Sequence, residues 1–206
     1  DLSTASYDSV SFSVAAQDTA PTSFAFNSTG TKMYVAGVIN DTVYQYSLSS
    51  AFDLSTASYD SVSFSVAAQA SAPYGLTFNN DGSKMYVVND ANELVFQYSL
   101  SSAFDLSTAS YDSISFSVAS QDSQAKDLAF NSDGTKMYMV GASSDSVHQY
   151  STSSSTPATF AYPASVDWPS GTAPDAPADG ETDVYSFYTE DGGTTYYGFQ
   201  VGDALA

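Results

Sequence analysis

An all-β chain of repeated four-stranded units is what this sequence predicts, and three observations predict it. A fourteen-residue block, 1–14, recurs at 53–66 and, with Ile114 in place of Val62, at 105–118, so the period is 52 residues without insertion or deletion. The register continues beyond the block: Phe26, Phe78 and Phe130 align, as do Gly30, Gly82 and Gly134, Lys32, Lys84 and Lys136, and Tyr46, Tyr98 and Tyr150. Apolar residues recur at the two-residue spacing of strands, no stretch carries a helical stripe, and β-branched and aromatic residues dominate. A fixed period of this length means stacked supersecondary units, none of which buries its apolar face alone.

Taken in order through the second copy, residues 62–66 alternate valine or phenylalanine with serine, the pattern of a strand with one packed and one wet face. Residues 72–78 form the next strand, opened by Pro73, which is tolerated at a strand start. Asn79-Asn80-Asp81-Gly82 turns the chain, with Gly82 free to take positive φ. Residues 84–88 are apolar on both faces and predict a strand covered on both sides. A loop at 89–92 leads to the last strand, 94–100. The equivalents are 24–26, 32–35 and 42–48 in the first copy, and 127–130, 136–140 and 146–150 in the third, with a further strand expected near 10–14.

After Tyr150 the composition changes. The repeats are assigned to 1–152, as 1–52, 53–104 and 105–152; the serine- and threonine-rich stretch 153–157 reads as a linker. Residues 158–206 form a small β-rich unit holding the one tryptophan, Trp168. Within it Asp191-Gly192-Gly193 lies between two aromatic runs, 184–188 and 195–199, a hairpin signal. Fewer than about 50 residues make a marginal core, so this unit is expected to lean on the repeats or on symmetry mates.

Four antiparallel strands in a unit of about 40–50 residues is the grammar of a propeller blade. A β-trefoil, which also uses three four-stranded repeats, is the competing closed solution. Residues 75–88 with 95–100 resemble the blades of β-propeller repeat proteins. The whole unit resembles, more narrowly, repeats of marine bacteriophage tail-fibre and virion structural proteins, and the stretches 166–174, 180–184 and 191–199 are similar to phage-fibre C-terminal endings. That resemblance implies a non-enzymatic virion component, located on the virion, that serves assembly and host attachment. It also implies partners that are copies of itself, as a trimer, and other virion proteins. The alternative is a secreted or cell-surface lectin-like, calcium-dependent glycan-binding module. Three blades fall short of the about four to eight of a single ring. Blades upstream of Asp1, a ring shared between chains or an open arc would each resolve this; the strand near 10–14 could complete the third set by strand exchange.

Composition narrows the chemistry. The only cations are Lys32, Lys84, Lys126 and Lys136, arginine is absent and the formal net charge is −19, which excludes nucleic acid and anionic membrane surfaces as natural partners. There is no cysteine, hence no disulfide or thiolate chemistry, and no apolar run of about 18 residues to span a bilayer. No basic-then-apolar leader is present, and the start at Asp1 suggests a processed chain or a fragment of something longer.

Among chemistry-bearing residues, His148 aligns with Tyr44 and Phe96 and reads as an aromatic packing position. Without a second histidine or a glycine-flanked serine, nucleophilic hydrolysis lacks its parts. No catalytic residue and no resident cofactor is assigned. Paired carboxylates would suit a glycosidase, but Asp81 and Asp133 sit where turns demand them. Calcium is the one cation considered, with Asp41, Asp90 and Asp145 as loop candidates, although no EF-hand spacing is present. The repeated lysines are expected to cap a strand edge or to pair with a neighbouring aspartate. The candidate binding set is Tyr7, Asp8, Tyr59, Asp60, Tyr111 and Asp112, since an aromatic face beside acceptor oxygens suits sugar recognition as well as packing.

Overall fold

The computed structural model describes residues 2–152, 166–168 and 182–205. The chain divides into two compact units, Asp1–Ser153 and Ser154–Ala206.

The repeats fold as antiparallel sheets of the propeller-blade type. The first holds β1 (Pro21–Phe26), β2 (Lys32–Gly37), β3 (Thr42–Leu48) and β4 (Ala57–Ser65) in that order. The second repeats it with β5 (Pro73–Phe78), β6 (Lys84–Asn89), β7 (Leu94–Leu100) and β8 (Ala109–Ser117). In each, tight turns at Gly30 (φ 69°) and Gly82 (φ 73°) join the first two strands; Phe52 and Phe104 lie so close over them that a Cβ would meet their rings at 2.3 and 2.2 Å. Among the described residues the third sheet has three strands, β9 (Ala125–Phe130), β10 (Lys136–Gly141) and β11 (Ser146–Ser151).

The repeat and the sheet are therefore out of phase. The block that opens each repeat becomes the outer strand of the sheet before it: β4 begins the second repeat yet pairs with β3 from Thr42↔Ser65 to Leu48↔Ala57. The expected strand near 10–14 is not formed. Residues 5–13 carry the same nine residues as β4, and only the β4 copy is a strand. A strand exists by its ladder, and the ladder partner of 5–13 would belong to a preceding blade.

Each sheet packs its rear face on the front of the next. Tyr34, Ala36 and Val43 meet Leu76, Met85, Val87 and Phe96 in one buried cluster, and Val88 and Val95 meet Leu128, Met137 and Met139 in the next. Tyr34 and Phe78 rings stand 4.5 Å apart across the first junction. Among the described residues of the repeats, the two ends of the stack lack such cover. On the first sheet Phe24 is 65% exposed, and on the third the register partners Val140 and Val147 are 41% and 67% exposed.

In the C-terminal unit β12 (Val166–Asp167) runs parallel to β14 (Tyr196–Leu205), which pairs antiparallel with β13 (Thr182–Tyr188). The expected hairpin is present. Asp191 accepts hydrogen bonds from the Thr195 and Thr194 amides at 2.9 and 3.0 Å, and the Thr195 amide first, with the Thr195 and Thr189 hydroxyls, holds its carboxyl down to about 2. Trp168 stands edge-on to Tyr185 and Phe187, and Gly198 makes room for it, since a Cβ there would lie 2.6 Å from the indole. The linker 153–157 lies outside the described residues.

Candidate functional site

The strongest repeated polar arrangement is built on a β-bulge. Between Tyr46↔Tyr59 and Gln45↔Val62 the register shifts, so Asp60 and Ser61 bulge from the ladder, with Ser61 at φ 58°. The bulge aims the Asp60 carboxylate across the neighbouring strands, where Lys32 Nζ donates to it at 2.6 Å and Gln45 Nε2 at 2.9 Å. Lys32 Nζ also donates to Ser47 Oγ at 2.7 Å. The second sheet repeats the cradle: Asp112 accepts from Lys84 Nζ at 2.9 Å and Gln97 Nε2 at 2.7 Å, beside Ser99.

The third sheet holds the cradle without its acid. Lys136 Nζ donates to Ser151 Oγ at 2.8 Å, as its equivalents do, and Gln149 completes the set on β11. The position that Asp60 and Asp112 fill would lie on a fourth strand. Among the described residues, nothing pairs with the outer edge of β11, and no carboxylate forms an ion pair with Lys136. Beside that edge lies a cavity of about 330 Å³ walled by Ile114, Phe116, Phe130, Met137 and Tyr150. A Cβ on Gly134, whose counterparts Gly30 and Gly82 lie under Phe52 and Phe104, would meet no described residue within 4 Å.

The candidate sugar-binding residues separate. Tyr59 packs on Tyr46 and Tyr111 on Tyr98, each with ring centroids 5.5 Å apart, so both serve as cement between strands. Asp60 and Asp112 are held by lysine, one of the two roles expected of the repeated lysines. Only Tyr7, 76% exposed, and Asp8 stand on an unpaired segment. The calcium candidates are not brought together: no group of three or more His, Asp or Glu converges among the described residues, and Asp90 pairs with Lys126 at 2.7 Å, itself 4.3 Å over the Tyr74 ring. Asp81 and Asp133 accept from the Ser83 and Thr135 amides in their own turns. His148 Nε2 lies 3.0 Å from Ser144 Oγ, half-buried where Tyr44 and Phe96 are buried. The bulge and the cradle escape sequence reading because a serine at positive φ carries no glycine to announce it.

Burial pushes the Asp60 and Asp112 carboxyls up, but hydrogen bonds from lysine, serine and glutamine outweigh it and hold both below the ordinary carboxylate value. Such groups contribute stability that is present above the unfolded value of about 3.9 and lost as pH falls through the folded one. The net charge of −19 acts oppositely, since mild acid relieves self-repulsion. Urea unfolding across pH is therefore expected to show stability holding or rising towards about pH 5 and falling below about pH 4. The fall should be shallower in Asp60→Asn/Asp112→Asn; an identical profile would remove the cradles from the explanation.

Comparison with known proteins places the fold and nothing finer. No protein family matches the sequence, and no curated protein matches it. Among solved structures, a candidate 6-phosphogluconolactonase of Bacteroides uniformis matches with TM-score 0.51 and 13% identity, over 66% of this chain and 38% of that one. The β-propeller domain of Swd1 from Myceliophthora thermophila matches with TM-score 0.36 and 9% identity, over 64% and 43%. Kluyveromyces lactis Hsv2 matches with TM-score 0.37 and 12% identity, over 88% and 46%. The chain spans under half the length of each. The expectation of a phage virion structural protein is corrected by these findings. The solved structures this chain resembles include one described as a lactonase candidate, and no fibre or virion protein is among those named. A blade motif is a property of a fold, and folds host unrelated functions.

Proposed function

We propose that the repeat unit is a non-catalytic binding scaffold, whose work is to join polypeptides by accepting an extended strand on the outer edge of β11. One observation carries this reading: Lys136, Gln149 and Ser151 present the cradle that holds Asp60 and Asp112 elsewhere, next to an edge that is unpaired, and without its carboxylate, among the described residues. Strand addition draws affinity from main-chain hydrogen bonds and selectivity from side-chain slots. Here the slots ask for an acid at the bulge and an apolar residue opposite Val147.

The lactonase description of one fold neighbour supplies the competing reading, which the residues do not favour. A phosphorylated sugar lactone asks for clustered cations. Arginine is absent, and three of the four lysines, Lys32, Lys84 and Lys126, are already paired with Asp60, Asp112 and Asp90.

A labelled peptide with the sequence of β4 is expected to bind the dilute full chain saturably, and Lys136→Glu to weaken it at least about tenfold. No binding, or binding indifferent to Lys136, would overturn the reading. So would hydrolysis of 6-phosphogluconolactone that stops on changing one acid to its amide.

A further inference from the structure

We infer that the strand taken up by β11 is residues 5–13 of a second copy of this chain, so that two copies join head to tail. This rests on the strand-accepting reading above and names its partner.

Three features of this chain match donor to acceptor. The sequence of 5–13 is that of β4, the strand that fills the corresponding edge of the first sheet. Its backbone keeps the bulge without any ladder to impose it: Ser9 has φ 58°, against 58° for Ser61 and 59° for Ser113. And Asp8 is the exposed acid of that bulge, the one group the Lys136 cradle lacks. Carrying the β3–β4 register over places Phe12 opposite Val147, Ser11 opposite His148, Val10 opposite Gln149 and Tyr7 opposite Tyr150.

The blade faces agree with the edges. At the two internal junctions a valine on the rear face is covered by the next blade: Val43 in the first, Val95 in the second. Val147 is the third member and is exposed. The front face that would cover it is on the first sheet, where Phe12, Phe24, Phe26, Met33 and Val35 line an open cavity of about 540 Å³. The ends are thus complementary to each other and not to themselves, which makes a head-to-tail contact. Because residues 5–13 run directly into the first blade, strand donation and blade stacking are satisfied by one docking. Two copies joined at both junctions give six blades, within the about four to eight of closed single rings.

Sedimentation of the full chain is expected to give twice the 21.7 kDa chain mass. Asp8→Lys and Lys136→Glu should each sediment as a monomer, with dimer association at least about tenfold weaker, because each puts like charges at both junctions. Mixing the two variants should restore the dimer: one junction then joins the two substituted positions, an opposite-charge pair with its signs exchanged, and the other keeps Asp8 with Lys136. As the chain has no cysteine, Ser11→Cys and His148→Cys chains give a second, fold-independent readout: a disulfide-linked dimer on mixing. A wild-type monomer at all concentrations, or a disulfide that forms within one Ser11→Cys/His148→Cys chain instead of between chains, overturns the inference. If the β4 peptide still binds the Asp8→Lys chain in that event, the strand-accepting reading stands and only the second copy is lost. If it does not bind, both fall.

Discussion

Gly37→Asn alone is expected to destabilise the first blade by about 1–3 kcal/mol, and adding Asp18→Ala to return most of that loss. A Cβ on Gly37 would sit 2.2 Å from Asp18 Cγ, and one on Gly141 would sit 2.0 Å from Asp122 Cγ. The middle blade solves the same problem in reverse, with Ala70 and Asn89 at the aligned positions. One backbone amide explains the exchange. Ala20 donates to Asp18 Oδ1 at 2.8 Å and Gln124 to Asp122 Oδ1 at 2.7 Å, whereas their counterpart Ala72 donates to Asn89 Oδ1 at 2.8 Å. The acceptor arrives from one side or the other, and there is room for one. Asp18→Ala alone should also cost about 1–3 kcal/mol, by leaving the half-buried Ala20 amide without its acceptor. The check is the urea midpoint of the four chains at constant slope, which yields the coupling energy. A double variant as unstable as the sum of its singles would show that the two solutions are not interchangeable.

That exchange also marks how far the sequence was legible. Aligning the copies displays Asp18, Ala70 and Asp122 against Gly37, Asn89 and Gly141, but nothing in the string says that the two columns touch. The strands themselves were readable, because alternation and the turns at Gly30, Gly82 and Gly134 are local. The phase between repeat and sheet was not: a periodic string can be cut anywhere, and only the ladder from Thr42↔Ser65 onwards assigns the block to the preceding blade. The identical residues at 5–13 make the point physically, being strand or not according to whether a neighbour offers hydrogen bonds. The aromatic run and its hairpin were legible in the C-terminal unit, whereas the approach of Trp168 to Gly198 was not. Function was the least legible. The resemblance that suggested a virion protein rested on the whole 52-residue unit and the C-terminal stretches, while the chemically distinctive feature is an acid missing among the described residues, which no motif search reports.

Two glutamines at the same repeat position are expected to respond unequally, and the difference tests how the blades are tied together. Gln45 is 4% exposed; its Nε2 donates to Asp60 at 2.9 Å and its Oε1 accepts the buried Leu106 amide at 2.9 Å. Leu106 opens the 3-10 turn Leu106–Thr108 that leads into β8, so this bond fixes the entry to the second blade's outer strand from the first blade's sheet. Gln97 makes the same bond to Asp112, at 2.7 Å, but is only half-buried. Gln45→Ala removes a hydrogen bond to a charged group and strands a buried amide, about 2–4 kcal/mol together; Gln97→Ala should cost about 1 kcal/mol. Because neighbouring repeats are coupled through their interfaces, Gln45→Ala should also broaden the unfolding transition as the first two blades begin to unfold separately. Equal losses, or an unchanged slope in Gln45→Ala, would mean that blade packing around Tyr34 and Phe78 couples the blades without this bond.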